Sequence, residues 1–419
     1  MRKLFLGVLF LLASTNIFAM SGAFGTEVFT DEDGSQYSIN KVVLYPQWSI
    51  WKIDIGLDLQ LYFDSEGDFI DDNWDSSSDI IKKILYLKYG DKGDTLYVKF
   101  GSLSSATIGH GIIFNRYSNM VRYPEIVKRS LVLDINLEQM GIETLATSLE
   151  RSEVYGGRFY FKPFYNSGSL FLANLKLALS GGTDVDPDSN DKTKGDAVSI
   201  GAADMELPLV DGYLLSSTLF GDIAQMDLSE AYVKKTPERP KPSKNNGSGS
   251  AVGFFGKLLV FDYQVQYKSL DNNFVYSYFD SYYEIEKSTK AMNISDKSTP
   301  KQEGWGGTIG FSLMDKAYVM ASYEDLNNDT FDLYPWVHAE VSLDKSLFMD
   351  KVFFKASYDK KNASNWDEVR DLKSGNALVT TELGIALSDS TTVVISKKYT
   401  YDIYGNRTKR TKFETRIIF

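Results

Sequence analysis

The stretch Trp51-Lys-Ile-Asp-Ile-Gly-Leu-Asp-Leu-Gln-Leu61 is apolar at every odd position and polar or glycine at every even one. A helix, with its 3.6-residue period, would scatter that alternation around its whole surface, whereas a strand sends it to two opposite faces. The same grammar recurs in Phe171-Leu-Ala-Asn-Leu-Lys-Leu177, Phe261-Asp-Tyr-Gln-Val-Gln-Tyr267 and Val352-Phe-Phe-Lys-Ala-Ser-Tyr358. It is weaker around 138–149 and 317–325, where Thr, Ser and Ala blur the faces. Short turns such as Gly90-Asp-Lys-Gly-Asp94, Asn166-Ser-Gly168, Met314-Asp-Lys316 and Ser388-Asp-Ser390 alternate with long polar connections. Taken literally, the pattern predicts about 18 strands (roughly 16–20) at about 22 residues each, the spacing of a strand that crosses a membrane plus its connection.

Composition narrows the alternatives. The chain has 419 residues, 43% hydrophobic and 14% aromatic, with no cysteine and a net charge of −11. Mean hydropathy is −0.23 and no run of 18 apolar residues occurs, so a bundle of membrane-spanning helices is excluded. The acidic balance argues against nucleic acid as a partner, because no excess of cations exists to displace counterions from phosphates. The absence of cysteine removes disulfides, thiol catalysis and cysteine metal sites. His110 and His338 are the only histidines, which rules out any three-imidazole centre.

The N-terminus reads as an export signal. Met1-Arg2-Lys3 is positive, Leu4 to Leu12 is apolar but too short to span a bilayer, and small residues follow at Ala19 and Ser21 to Ala23. Cleavage is expected after Ala19 or after Ala23. The expected organisation is a signal peptide over 1–23, a periplasmic segment over 24–47 and a barrel over 48–419.

The last residues, Lys412-Phe-Glu-Thr-Arg-Ile-Ile-Phe419, put Phe413, Ile417 and Phe419 on one face of a final strand. With the leader and the strand grammar, this terminus resembles that of bacterial outer-membrane β-barrels, in which it is read by the barrel-assembly machinery. The resemblance covers essentially the whole mature chain and names a class rather than a particular porin family. It implies an all-β fold: a transmembrane antiparallel up-and-down β-barrel with short periplasmic turns and long extracellular loops. The implied partners are the lipid bilayer, the assembly machinery, small hydrophilic solutes and, as the class admits, further copies of the chain. Physics reaches the same architecture, since backbone groups in lipid must all be paired and a membrane sheet must therefore close. A cylinder of this many strands is too wide for side chains to fill, so a porin-like channel for passive diffusion is the leading reading. A surface receptor, adhesin or structural barrel with a plugged lumen is the alternative.

Parity marks the lumen face. The more polar faces carry Lys52, Asp54, Asp58, Lys82, Arg158, Lys162, Asp222, Glu340, Glu382, Lys398 and Arg416, with basic side chains in excess over the whole set. The segment 104–126 is unusual, since it combines Ile108, Ile112, Ile113, Phe114, Met120 and Val121 with His110, Arg116 and Arg122. Exposed, it would form a large apolar patch, so it is expected to pack against the wall inside, as a constriction whose arginines meet passing solute; an ordinary folded extracellular lid is the alternative. The tyrosine-rich segment 270–302 is the second candidate plug; were both to fold into the bore, the receptor reading would gain.

Other motifs are weak. Asp184, Asp186 and Asp188 space oxygen ligands as a calcium loop does, but the glycine and the terminal glutamate of the helix–loop–helix motif are missing. Gly109-His-Gly111 with Ser118-Asn119 is similar to the His-x-Ser-plus-Asn arrangement of outer-membrane phospholipase, yet Ile112 stands where its serine belongs. No enzyme and no cofactor are expected.

Overall fold

The computed structural model describes residues 18–418 except 31–33, 64–66, 71–73, 75, 124–125, 149–151, 188–196, 229–245, 296–298, 315, 328–334, 362–364, 372–376 and 402–406. Residues 1–17, Asp188 and Phe419 thus lie outside the described residues.

The chain begins with β1 (Phe18–Thr30), β2 (Gln36–Ile50), β3 (Ile53–Leu57), β4 (Leu59–Phe63) and β5 (Phe69–Ile70). Then come β6 (Ile84–Tyr89), β7 (Leu96–Gly101), β8 (Ser130–Asn136), β9 (Met140–Ala146), β10 (Val154–Phe161) and β11 (Lys176–Asp184). The middle of the wall is β12 (Val198–Asp211), β13 (Leu215–Leu228), β14 (Asn246–Leu258), β15 (Phe261–Leu270), β16 (Gln302–Leu313) and β17 (Ala317–Asn327). It closes with β18 (Trp336–Leu343), β19 (Val352–Lys360), β20 (Ala377–Ala386), β21 (Thr391–Tyr401) and β22 (Arg407–Ile418). β1 pairs antiparallel with β22 from Ser21↔Ile418 to Thr30↔Lys409, so the sheet has no free edge. β3 and β4 form one stave in continuous register with β2, and the ladder lapses only beside Pro46, which has no N–H to donate. β5 is a hook on β4, which leaves a closed up-and-down barrel of 20 strands, at the top of the expected range.

The connections alternate as the sequence implies. Trp51 and Lys52 alone join β2 to β3, and Leu259 and Val260 alone join β14 to β15, whereas the opposite end carries 102–129 and 271–301. Outward positions are apolar and open: Leu179 and Ile223 are each 64% exposed, and Trp305 is 61% exposed. Such a surface suits hydrocarbon and not water, and closure satisfies the backbone that hydrocarbon cannot.

Four expectations are corrected. Residues 24–47 lie in the wall as part of β1 and β2; the small residues around Ala23 and the break at Pro46 disguise their alternation. The alternation quoted first does not run as one strand, because Trp51 and Lys52 form the turn; Lys52 sits at the rim, 3.4 Å from Asp94, rather than on the lumen wall. Leu57 and Leu59 point outward as expected but are only 6% and 4% exposed, covered by Trp74 and Trp48 in a local apolar cluster. Lys82 belongs to a short helix, α1 (Ser77–Lys82), and Lys162 lies just past the end of β10.

Candidate functional site

Both unusual connections fold into the bore and join there. Ser277 N–H donates to Ile112 O at 2.9 Å, Phe279 N–H to Ile113 O at 3.1 Å and Asn115 N–H to Phe279 O at 3.0 Å, forming a short parallel bridge between segments 104–126 and 270–302. The Phe114 and Phe279 rings stack at 4.5 Å and 14°. Around them Ile113, Tyr117, Tyr278 and Tyr283 are buried against wall residues Val198, Met226 and Ala251. Glycines make this seat: a Cβ on Gly156 or Gly182 would lie 2.4 Å or 2.7 Å from the Phe114 ring.

Polar ties lock the second segment to its surroundings. Its helix α2 (Tyr283–Ser295) presents Tyr283 Oη to Asp184 at 2.6 Å, Glu284 to Lys128 at 2.6 Å and Lys287 to Glu153 at 2.7 Å. Before the helix, Asp280 meets Lys290 at 2.9 Å and Lys361 at 2.5 Å, and Ser281 donates to Asp359 at 2.8 Å. These contacts also answer the calcium spacing. Asp184 accepts from Tyr283 and from the Asp186 N–H at 2.8 Å, with Lys287 at 3.9 Å, so protein donors occupy both Asp184 oxygens.

The plug is eccentric. Between it and the wall of β12 and β14 to β18 remains a cavity of about 510 Å³. The plug lends it His110, Asn115 and Arg116; the wall lends Gln264, Gln266, Thr308, Tyr318, Ser322, Glu324 and Trp336. Arg116 is the outstanding group. Its Nη1 donates to Ser322 Oγ at 3.2 Å and its guanidinium lies 4.9 Å from the Trp336 ring, yet it has no ion-pair partner among the described residues and its Nε is buried without a hydrogen bond. Its φ of 54° is an uncommon conformation for a residue with a side chain, held by an N–H bond to Thr107 Oγ1 at 3.0 Å.

His110 fixes the same segment to the wall. Its Nδ1 lies 2.8 Å from Asp222 Oδ1 and its Nε2 3.5 Å from Glu206 Oε1. Burial disfavours the imidazolium, but the two carboxylates outweigh it and lift this loop histidine to about 9. Arg158 stands behind, bidentate on Asp204 at 3.0 Å and 2.6 Å, and 2.7 Å from Glu206, which also takes Lys176 at 2.6 Å. His110, Asp204 and Glu206 bring ligand atoms within 4.8 Å of one another, but these carboxylates are already neutralised by Arg158 and Lys176.

The other expected site residues are distributed rather than gathered. Arg122 lies away from the cavity, on a stretch held to β21 and β22 by Lys398, 2.7 Å from Val121 O, and by Arg410, 2.9 Å from Tyr123 O. Asp54 pairs with Lys88 at 3.0 Å, Asp58 accepts from Tyr123 and Gln60, and Arg416 binds Glu382 at 2.7 Å and Glu414 at 2.6 Å. His338 lies between Asp359 at 3.0 Å and Glu340 at 3.1 Å. Parity left out Glu27, Asp134, Asp204, Glu206, Glu324 and Asp359, which also face inward, as do Lys41 and Arg410 beside Glu27, and most wall charges pair. Glu27 was hidden in the unrecognised first strand, Glu324 in the blurred stretch 317–325, and Asp359 one residue past the expected end of its strand.

No family model and no curated protein matches the chain. Among solved structures it is similar to Pseudomonas aeruginosa OpdL, at 7% identity and a TM-score of 0.37 over 96% of this chain and 98% of that one. The outer membrane protein OprD from Pseudomonas aeruginosa is similar at 8% identity and a TM-score of 0.37, over 96% of this chain and 94% of that one. Pseudomonas aeruginosa OccK2 (OpdF), solved in complex with glucuronate, is similar at 8% identity and a TM-score of 0.34, over 96% and 95%.

Proposed function

We propose that the chain is an outer-membrane channel for passive entry of small hydrophilic solutes, narrowed by a two-segment plug so that passage runs through the eccentric cavity. The observation that carries this reading is Arg116, a guanidinium with no direct ion-pair partner among the described residues, in a polar cavity between plug and wall. A structural arginine at such a depth is normally paired, and an unpaired one is available to a solute. The lipid bilayer, the barrel-assembly machinery acting on Phe413, Ile417 and Phe419, and further copies of the chain are the partners this role requires or admits. No catalysis is proposed, since His110 and His338 are each clamped between carboxylates with no activated nucleophile beside them among the described residues. Single-channel recording in planar bilayers tests the reading: small, discrete conductance is expected, and its complete absence would overturn it. The interlocked plug favours a second reading, a surface receptor with a closed lumen, which predicts no conductance in the intact protein.

A further inference from the structure

Six of the nine connections at the short-loop end carry exposed apolar tips, unlike turns made for water. Four of them place large apolar side chains at left-handed backbone positions: Trp51 (φ 56°), Leu259 (φ 58°), Met314 (φ 42°) and Met349 (φ 54°). Two-residue hairpins favour Asn, Asp or Gly at such positions, where a Cβ is strained. The strain is not repaid by packing within the chain, because these four are 82%, 58%, 76% and 89% exposed. Tyr213 and Leu387, in two further turns of the same end, are 98% and 65% exposed.

We infer that this ring of turns is a lipid anchor, seated in the interfacial region of the periplasmic leaflet rather than projecting into water. The apolar tips occur in the β2–β3, β12–β13, β14–β15, β16–β17, β18–β19 and β20–β21 turns, most of the way round the cylinder. A protein partner would cover one sector, whereas a leaflet surrounds all of them. The ring is also continuous with the outward belt: Trp51 meets the outward Tyr89 edge-on at 5.8 Å, and Leu259 is flanked by the exposed Leu258 and Phe261. Lys52 follows Trp51, and Lys316 and Lys351 lie two residues after Met314 and Met349, across Asp315 and Asp350. These lysines would carry their stems past the apolar groups to the phosphates of anionic phospholipids. The inference rests on reading the barrel as membrane-spanning.

The chain's lack of cysteine makes the test direct. Leu259→Cys, Met314→Cys and Met349→Cys, with Ile223→Cys in the wall as reference, are labelled with bimane and reconstituted into phosphatidylethanolamine–phosphatidylglycerol vesicles. The expected result is quenching of all three turn labels by nitroxide-labelled phospholipid, with shielding from aqueous iodide. Iodide access at the turns while the Ile223→Cys label stays lipid-quenched overturns the anchor alone, and iodide access at all four overturns the spanning wall as well. Shielding confined to one sector assigns the ring to a protein partner and equally overturns the anchor. Independently, Met314→Asn and Met349→Gly suit the left-handed positions better. They should keep the heat-modifiable fold in detergent yet lower the fraction inserted into vesicles several-fold; unchanged insertion contradicts the anchor.

Discussion

Phe114 and Phe279, from two different long loops, stack 4.5 Å apart inside the bore against Gly182 of the wall, both fully buried. Neither segment could bury its apolar groups alone, so each loop is half of the plug. The wall does not depend on the pair, since its ladders close without either segment. Phe279→Ala should cost roughly 3–5 kcal/mol of plug packing and raise single-channel conductance while heat-modifiable gel mobility persists. Gly182→Val should act in the same direction by filling the seat of the Phe114 ring. Unchanged conductance in both variants would mean that the plug does not limit passage.

Arg116 is predicted to set what charge selectivity the channel has. Wall charges are mostly compensated in pairs, and those at the wide mouths are screened within about 8 Å at physiological salt. Arg116→Glu should therefore shift the reversal potential across a salt gradient towards cations, and adding Arg122→Glu should extend the shift only slightly, because Arg122 lies off the cavity. A larger effect of Arg122→Glu alone would place the solute path on the β21–β22 side instead.

Alkaline pH should loosen the plug. The folded-state pKa of His110 is raised from 6.5 to about 9, so its contribution is fully present below about 6.5 and is lost as pH rises through about 9. Deprotonation removes the attraction between the first segment and the carboxylates of Asp222 and Glu206. Open probability or conductance is expected to climb between neutral pH and pH values near 10, and the climb should be flattened in His110→Gln. The same climb in that variant would assign it to another group.

Strand grammar made the architecture legible, because in a lipid-facing wall every second side chain is answerable to hydrocarbon. It failed where that rule is suspended. Gly22, Ala23 and Gly25 of β1 are small on both faces and look like a cleavage region, and Trp51 looks like a strand residue because its turn is as apolar as the belt. The inward fold of 104–126 was legible from its isoleucines and phenylalanine. Its partner was not: the Phe114–Phe279 contact joins loops that no local pattern relates. The pairing of Arg158 with Asp204 and Glu206 was likewise invisible, since parity gives the face of a residue and not its neighbour.

Belt and bore should respond oppositely to charge. Leu179 and Ile223 face outward in β11 and β13 and are open to lipid, unlike Leu57, which Trp74 covers. An Arg at Leu179 or Ile223 should cost roughly 2–4 kcal/mol of stability in bilayers if the site lies near the midplane, measured by denaturant titration in vesicles. Lys at Ser180, a neighbouring inward position beside Asp204, should cost far less. Equal costs would mean the outward face is not in hydrocarbon.

The seam between β1 and β22 bears on which of the two expected cleavage sites would be used. Release after Ala19 leaves Met20 as the first residue and keeps every pair of that ladder, which begins at Ser21↔Ile418. Release after Ala23 would delete the partners of Ile418, Ile417 and Arg416 and strand their backbone groups at the membrane edge, where each unsatisfied group costs several kcal/mol. The mature protein purified from membranes should therefore start at Met20, as read by N-terminal sequencing or intact mass. Blocking the first site with Ala19→Arg should divert or abolish processing and lower the amount of folded barrel. A mature terminus at Phe24 with normal heat modifiability would show that the barrel closes without those three pairs, and that β1 contributes to the seam only from Phe24 onward.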